Sequence, residues 1–513
     1  IPLPQICYDP TNFLSGSRRK KPTFVLNNLL HRNFNTWKMS KRILLGLMVM
    51  AIVAGCHHEE KKPAGFAHVR QVETGTPVHV MLTSYSTTLR ANGSDQTLMR
   101  ITLADSLGRE ILSAKDTLRV TLDGAGKLSG ADGEALALQT DTAGRQVAVL
   151  VLIGGEARLT YVAGTEEGKV KLEVSCGKLW PASHELHLVP GDFKMMAPAE
   201  SQLPPTTKPI ARMVGADISW LPEMEARGEK IFFGGEEKDG VQLLRDCGFN
   251  TVRLRVFVDP EHEKGYSPGK GFCDTEHTLA MARRVKEAGM DLLLNFHYSD
   301  YWADPQQQNQ PHAWAGKGFD AMCDSVTAHT IRVMTALHAQ GTPPAMVQVG
   351  NEINHGMLWP DGHISQPDHL AALLKAGVEA VEAVDPSVPI MMHIALGGQN
   401  DESVFWLDNM IARGVRFDLI GLSYYPRWHG TLDDLQANML ALTQKYHKPV
   451  NVVEYSWYKK EVHDIVFSLP GDMGKGACIW EPYGWGERVT DRQKNTTALM
   501  EIYRQVHDTY LVP

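Results

Sequence analysis

The stretch Met346-Val-Gln-Val-Gly-Asn-Glu352 joins a short apolar run to a carboxylate, and it decides the fold. A second stretch, Pro449-Val-Asn-Val-Val-Glu454, has the same form. Apolar, β-branched runs of this length predict buried strands. A carboxylate at the end of a buried strand needs a partner or a function, because removing its charge from water is costly. Parallel barrel strands bring their carboxyl-terminal ends together, so the two stretches predict one pocket that contains both glutamates.

The composition describes a soluble protein of more than one domain. The chain has 513 residues, of which 43% are hydrophobic and 21% charged, enough to form a sizeable core. The net charge of −8 provides no basic surface, so we expect no nucleic-acid partner. The 7 cysteines show neither CxxC nor Cys/His spacing, which argues against a disulfide framework and a metal centre.

The N-terminal region contains a secretion signal. A basic start at Met39 precedes the apolar run Ile43–Gly55, which is too short to span a bilayer of about 30 Å. The ending Val53-Ala-Gly-Cys56 resembles a bacterial lipobox. This resemblance implies that Cys56 is lipidated and anchors the protein to a membrane. A soluble secreted protein with an ordinary cleavage site is the alternative.

The residues around this signal also carry predictions. Residues 1–38 precede a complete signal (39–56), and we interpret them as an over-extended, unstructured start. Residues 57–66 are polar and predict a tether. The acidic pair in this tether resembles the surface-export signal of Bacteroidetes-type lipoproteins. We therefore expect an outer-membrane lipoprotein exposed at the cell surface, and a monomer.

Residues 67–194 predict a small all-β sandwich, because short runs alternate apolar and polar side chains between turn residues. The part from Leu89 to Gly108 resembles the immunoglobulin-like modules that are joined to many bacterial glycoside hydrolases. Packing support or a spacer is the expected role, since no row of exposed tryptophans indicates a carbohydrate-binding face.

Residues 195–209 are rich in Pro and Thr and predict a linker, and residues 210–513 predict a (β/α)8 barrel. Eight strand-like segments alternate there with helical segments such as Thr275–Ala288 and Leu370–Val384. A doubly wound open sheet is the alternative, but no glycine-rich phosphate loop follows the first strand.

Polar and aromatic residues end the predicted strands, and active sites of such barrels lie at these ends. The residues are Asp217, Arg255, His297, Asn351, Glu352, His393, Tyr424, Tyr425, Glu454 and Trp480. We interpret Asp217 as a structural group. A pair of carboxylates in one cleft is the minimum equipment for hydrolysing a glycosidic bond.

Three motifs make this interpretation specific: His297-Tyr-Ser-Asp-Tyr-Trp-Ala-Asp-Pro305, Val347–Met357 and Gly421-Leu-Ser-Tyr-Tyr-Pro426. Together with Arg253-Leu-Arg255 and Gln310–Trp314, they resemble glycoside hydrolase family 53, the arabinogalactan endo-β-1,4-galactanases. The resemblance extends over residues 210–485 and implies a retaining barrel enzyme.

The resemblance implies that Glu352 is the acid/base and Glu454 the nucleophile. Retention requires carboxyl groups about 5–5.5 Å apart, one ionised and one protonated. We expect Arg255 to hold Glu454 ionised and the nearby negative charge to raise the pKa of Glu352. Asn351 is expected to bond the sugar 2-hydroxyl.

The remaining predicted site residues bind or orient the substrate. His297, His393 and Tyr424 orient the sugar or the glutamates, with structural hydrogen bonding as the alternative. Asp300 and Tyr425 are further substrate-binding candidates. Trp302, Trp314, Trp428 and Trp480 are candidate sugar platforms, because aromatic faces stack on the C–H face of galactose, and a core position is the alternative.

We expect no cofactor. Some bacterial family members bind calcium through a long loop after the nucleophile strand, but the loop from Tyr455 to His463 is short and lacks an oxygen-rich cluster. Two alternative functions remain open. One is another retaining activity, such as that of a β-mannanase or β-galactosidase, and the other is a non-catalytic surface glycan-binding lipoprotein.

Overall fold

The computed structural model describes residues 71–512, which belong to one compact unit. The interpreted start (1–38), the signal with its lipobox Cys56 (39–56) and the tether (57–66) lie outside the described residues.

The first part of the described chain is a β-sandwich, as predicted. Its strands are β1 (Gln71–Val72), β2 (His79–Ser84), β3 (Thr88–Arg90), β4 (Gln96–Ala104), β5 (Glu110–Ile111), β6 (Thr117–Asp123), β7 (Lys127–Gly130), β8 (Leu138–Thr140), β9 (Gln146–Val151), β10 (Glu156–Val162), β11 (Gly168–Ser175) and β12 (Ala182–Val189). One sheet has the order β1-β5-β4-β10-β7, with β2 beside β4, and the other has the order β3-β12-β11-β6-β9-β8. Their inward side chains, such as Leu103 and Leu172, form a separate core. We call residues 71–189 the module.

The second part is a closed barrel of eight parallel strands, and it confirms the predicted (β/α)8 fold. The barrel region contains β13 (Met213–Asp217), β14 (Ile231–Phe233), β15 (Glu236–Lys238), β16 (Thr251–Val256), β17 (Asp291–Phe296), β18 (Met346–Val349), β19 (Gly356–Met357), β20 (Gly362–His363), β21 (Ile390–Ile394), β22 (Leu419–Tyr424), β23 (Val450–Tyr455) and β24 (Gly474–Trp480). The hairpins β14–β15 and β19–β20 lie outside the barrel sheet.

Helices alternate with the barrel strands. They are α1 (Leu221–Ala226), α2 (Gly240–Asp246), α3 (Thr275–Glu287), α4 (Phe319–Ala339), α5 (Pro367–Val384), α6 (Asn400–Ala412), α7 (Leu432–Tyr446), α8 (Lys459–Phe467) and α9 (Leu499–Tyr510). Among the described helices none is long and apolar enough to cross a membrane.

The barrel interior has an apolar layer near the start of its strands. Met213, Leu293, Met346 and Met391 belong to this buried cluster, and they come from four different strands. Further along the strands the interior becomes polar, with the buried side chains of Arg253 and Gln348. The apolar layer fills the base of the barrel, so the polar groups collect at the carboxyl ends of the strands.

The module packs against loops at this carboxyl-terminal face. Leu82 donates its backbone N–H to the carbonyl of Arg427 at 3.0 Å, after β22. Tyr458, after β23, donates its hydroxyl to the carbonyl of Gly108 at 2.7 Å. His187 of β12 lies 2.8 Å from His363, in a loop that follows β18. The module therefore packs against loops at the carboxyl ends of three barrel strands, and its role as packing support stays a prediction.

Truncation of one leucine in the apolar layer tests how much this layer contributes to the stability of the barrel. Leu293→Ala should lower the free energy of unfolding by about 2–5 kcal/mol, because it leaves a cavity in a closely packed interior. Denaturant unfolding followed by circular dichroism measures this change. Leu107→Ala is the matched control, since Leu107 is 57% exposed, and it should change stability by less than about 0.5 kcal/mol. Equal losses in the two variants would contradict the packing argument.

Candidate active site

Glu352 lies in a tight turn after β18. The strand was predicted to reach Glu352, but it ends at Val349. Gly350 has a φ of +79°, and a Cβ atom there would lie 2.6 Å from Ile353, so the turn requires glycine. Glu352 has a φ of 48° and a ψ of 52°, which is the left-handed region that few side chains adopt. These two residues break the extended backbone and lead into a short 3-10 turn, Ile353–His355.

Glu454 lies within β23, where Arg253 and Tyr425 hold its carboxylate. Arg253 Nη1 donates to Oε1 at 2.7 Å, and the Tyr425 hydroxyl donates to Oε2 at 3.3 Å. Glu454 and Tyr425 lie at the carboxyl ends of their strands, as predicted, whereas Arg253 lies in the middle of β16. The guanidinium is buried, so little water screens its attraction for the carboxylate.

The prediction that Arg255 holds Glu454 ionised is wrong. Arg255 Nη1 donates instead to Glu481 at 2.7 Å. Arg253 and Arg255 are two positions apart in β16 and therefore face the same side of the strand. Arg253 is level with Asp217 of β13, whereas Arg255 lies one pleat further along. The sequence motif Arg253-Leu-Arg255 contains both arginines. Only their register in the barrel shows that Arg253, and not Arg255, is the partner of Glu454.

Arg253 also connects Glu454 to neighbouring polar groups. It donates to Asp217 Oδ2 at 3.0 Å, to Gln348 Oε1 at 3.1 Å and to Asn351 Oδ1 at 2.7 Å. A buried arginine stays charged, so each of these acceptors compensates part of its desolvation. Asp217 has the structural role that its sequence context indicated.

Glu352 is bonded through Ser423 to His393. The Ser423 hydroxyl donates to Glu352 Oε1 at 2.6 Å, and His393 Nε2 lies 2.8 Å from the same hydroxyl oxygen. His393 Nδ1 lies 3.0 Å from Gln348 Nε2 and can accept from it. Burial lowers the pKa of His393 well below its usual value, which matches a neutral imidazole that donates from Nε2. His393 thus orients Glu352 from behind Ser423.

The two carboxyl groups differ in their protonation. Burial raises the pKa of Glu352 well above its usual value, and the charge of Glu454 raises it further. Burial also raises the pKa of Glu454, but the charge and hydrogen bond of Arg253 oppose this effect. Because only Glu454 has a cationic partner in direct contact, Glu352 retains the proton while Glu454 ionises.

Asn351 directly precedes Glu352 and is fixed in place by four hydrogen bonds. Its Oδ1 accepts from Arg253, from Gln348 at 3.0 Å and from Asn295 at 3.0 Å. Its Nδ2 donates to the carbonyl of Ala303 at 2.8 Å. An amide has two N–H donors, so one donor remains for a substrate hydroxyl.

Four tryptophans form an aromatic group that reaches Glu454 through Tyr425. The ring centroid of Trp480 lies 5.1 Å from Trp220, 5.8 Å from Trp302 and 4.7 Å from Trp485. Trp485 lies 5.4 Å from Tyr425, which connects this group to Glu454. All four tryptophans are partly exposed, as a sugar platform requires. The structure thus brings the predicted Trp302 and Trp480 together, while the ring of Trp428 lies 6.2 Å from that of Tyr425.

Three predicted substrate-binding residues have structural positions instead. Trp314 is only 5% exposed and belongs to the barrel core, beside His329. Tyr424 is fully buried in the same core, because adjacent residues of a strand face opposite sides and Tyr425 faces the site. Asp300 accepts backbone N–H groups from Asp259 at 2.9 Å and His312 at 2.6 Å, so it organises two loops.

His297 lies beneath the aromatic group. Its Nδ1 accepts the backbone N–H of Ala303 at 3.1 Å, and its ring lies 6.1 Å from that of Trp302. Burial lowers the pKa of His297 well below its usual value, so it is neutral. These contacts give His297 a role in supporting the loop that contains Trp302.

Sequence reasoning missed a further buried carboxylate, Glu481, next to Trp480. Glu481 accepts from Arg255 and from the backbone N–H of Trp220 at 3.0 Å. Burial raises its pKa to about 8 although Arg255 opposes the shift. Its position directly after the last strand was the available signal. Trp220 and Trp485, in loops after β13 and β24, were also missed, as was Ser423 inside a quoted motif.

The arrangement can perform acid-assisted nucleophilic displacement. One buried carboxyl group holds a proton, a second is ionised beside Arg253, and the same arginine also holds the amide of Asn351. Among residues 71–512 no group of three or more His, Cys, Asp and Glu side chains could hold a metal ion.

Comparison with known families finds a similar family for each part of the chain. The sequence model described as "Glycosyl hydrolase family 53" matches residues 213–465. The one described as "Glycoside hydrolase family 2 C-terminal domain 5" matches residues 80–185, within the module.

Individual relatives agree with the first match. An uncharacterized protein of Niallia circulans is 39% identical, with 54% of this chain and 84% of that protein covered. A probable arabinogalactan endo-beta-1,4-galactanase A of Aspergillus tubingensis is 33% identical, with 53% and 78% covered. The GH53 catalytic domain of Ignisphaera aggregans has a TM-score of 0.54 and 30% identity, over 59% of this chain and 99% of that chain.

Removal of the charge of Arg253 should move the acidic limb of the kcat/KM profile to higher pH. Arg253 lowers the pKa of Glu454, and a carboxyl group must be ionised to act as a nucleophile. An adjacent opposite charge shifts a carboxyl pKa by about 1–3 units, so Arg253→Gln should displace the limb by about 1 unit or more. A pH profile of kcat/KM measures this shift. Arg255→Gln removes the same charge from the same strand and should leave the limb in place, and an equal displacement would contradict the assignment.

Proposed function

This chain belongs to glycosyl hydrolase family 53, and we propose that it is a retaining endo-β-1,4-galactanase that cleaves galactan side chains of pectin. The family predicted from the sequence motifs is thereby confirmed. The observation that carries the proposal is the unequal pair of carboxyl groups, with Glu454 bound to Arg253 and Glu352 bound to the neutral Ser423 hydroxyl.

The residues suggest a double displacement. The ionised Glu454 attacks the anomeric carbon, and the glycosidic bond breaks as Glu352 donates its proton to the leaving oxygen. Glu352 is then a carboxylate, which removes a proton from the water that hydrolyses the glycosyl-enzyme intermediate. The remaining N–H of Asn351 is suited to the sugar 2-hydroxyl, a contact that strengthens in the transition state. The two carboxyl groups supply nucleophile and proton, so the proposed reaction requires no cofactor.

The substrate class rests on the relatives and on the aromatic group. The relatives with assigned activity are named arabinogalactan endo-beta-1,4-galactanases. Trp302, Trp480 and Trp485 offer partly exposed aromatic faces on which galactose units can stack.

We also propose that the protein acts as a monomer at the outer surface of the cell, attached through a lipid on Cys56. The lipobox sequence and the acidic tether support this location. A surface enzyme would shorten galactan chains that are too large to enter the cell.

Product analysis on linear β-1,4-galactan tests the activity and the nucleophile together. The chain from residue 57 onward should release short galacto-oligosaccharides, with β-anomers appearing first by NMR. Glu454→Gln should reduce the rate by at least about 10³-fold. Glu481→Gln is the matched control, because Glu481 is a buried carboxyl group at the same face. Its rate of galactan cleavage should fall less than that of Glu454→Gln.

Three outcomes would contradict parts of this proposal. Cleavage of mannan instead of galactan would keep the mechanism and reject the substrate. Release of galactose alone would indicate an exo-acting β-galactosidase. Binding of galactan without any product would leave a glycan-binding lipoprotein.

Replacement of the lipobox cysteine tests the anchor. In a bacterial host, the wild-type chain should incorporate labelled palmitate and sediment with membranes, whereas Cys56→Ser should do neither, because acyl chains anchor by hydrophobic insertion. Cys323→Ser changes a free cysteine in α4, far from the signal, and should behave as the wild type. Labelling that persists in Cys56→Ser would reject the proposed site.

A further inference from the structure

We propose that Thr87 of the module is a positioning residue that holds the acid/base turn in place, so that the module takes part in catalysis. This inference rests on the proposed role of Glu352. It concerns a contact between the module and the turn Ile353–His355, which follows Glu352 directly.

Thr87 bonds two barrel residues at once. Its hydroxyl oxygen lies 2.9 Å from His355 Nε2 and 2.7 Å from Glu402 Oε1. Its backbone N–H donates to Glu402 Oε2 at 2.5 Å. All three residues are buried, so water does not compete for these hydrogen bonds. One residue of the module therefore connects the turn after Glu352 to the start of α6.

Glu402 is compensated by His355 of the barrel and by hydrogen-bond donors of the module. Burial raises the pKa of this carboxyl group, but the contacts with His355 and the hydrogen bonds from Thr87 outweigh that effect, and the pKa lies below its usual value. Thr88 adds a hydroxyl donor to Oε1 at 2.9 Å. Both threonines come from the module, so its removal would leave a buried carboxylate without these donors.

His355 is held on several sides. Its Nδ1 lies 2.9 Å from the carbonyl oxygen of Pro305 and its Nε2 lies against Thr87. The ring of His187 stacks on it with centroids 3.7 Å apart. His187 is paired in register with Thr88, so neighbouring strands of the module supply both contacts. The imidazole therefore has little freedom to move.

The backbone of Glu352 needs such support. Its left-handed conformation is unfavourable for a residue with a side chain, and it persists when the surroundings determine it. Gln308 donates to the carbonyl of Asn351 at 2.9 Å, and Trp406 donates to that of Ile353 at 2.8 Å. His355 is the third anchor of the same turn, and Thr87 is its link to the module.

Thr87→Val in the full chain tests the inference, because valine keeps the shape of threonine and removes its hydroxyl. Two substrates separate positioning from stability: galactan, whose leaving group needs the proton of Glu352, and a 2,4-dinitrophenyl β-galactobioside, whose leaving group departs without protonation. General-acid catalysis contributes about 10²–10⁴-fold, and partial misplacement should remove part of it. We expect kcat/KM on galactan to fall about 10-fold or more, and kcat/KM on the dinitrophenyl substrate to stay within about twofold.

Two further variants complete the test. Thr87→Ser restores the hydroxyl and should recover activity on galactan. Thr88→Val removes a donor from the same Glu402 carboxylate but leaves the contact between Thr87 and His355 in place. Its thermal midpoint should fall as in Thr87→Val, but its kcat/KM on galactan should not fall selectively. Equal losses on both substrates, or no loss in Thr87→Val, would overturn the inference.

The set of glycans that the wild type cleaves shows whether a failure concerns the role of Thr87 or the proposed substrate. If the wild type cleaves another β-glycan, the same comparison with that glycan and its dinitrophenyl glycoside still tests Thr87. If it cleaves no glycan and no dinitrophenyl glycoside, both proposals fail.

Discussion

The buried guanidinium of Arg253 is the interaction on which the catalytic face depends. From β16 it reaches Asp217 of β13, Gln348 of β18 and Glu454 of β23, and so connects four of the eight barrel strands. An arginine cannot lose its proton in a protein, so its charge must be compensated where it lies. This requirement explains why carboxylates and amides, rather than apolar side chains, fill this level of the barrel above the methionine-rich layer.

The same constraint gives two identical side chains different properties. Glu352 and Glu454 are both buried, and burial alone would protonate both. Of the two glutamates, Arg253 contacts only Glu454. Glu352 accepts instead from a hydroxyl group that is itself bonded to a neutral imidazole. A single cation beside one of the two carboxyl groups is therefore sufficient to keep that group ionised, as a nucleophile requires, while the other stays protonated, as an acid requires.

The barrel and its two glutamates could be predicted from the sequence, because apolar runs that end on carboxylates are local patterns. The partners of these residues could not, because they depend on register between distant strands. Arg253 and Arg255 face the same side of β16, and only their level beside β13 distinguishes them. Likewise, Tyr424 and Tyr425 are adjacent, and the side on which each lies depends on the pleat. The link between Thr87 and His355 joins parts of the chain that are 268 residues apart, and no local pattern indicates it.

The contacts of the module also divide the loops of the catalytic face into two groups. Those after β18, β22 and β23 hold residues that pack on the module, including His363, Arg427 and Tyr458. The loops after β13 and β24 contribute Trp220 and Trp485 to the aromatic group. A substitution in the first group must preserve packing within the barrel and against the module. A substitution in the second group is constrained mainly by contacts with the substrate. Divergence toward other glycans, in nature or in directed evolution, is therefore expected to begin in the loops after β13 and β24.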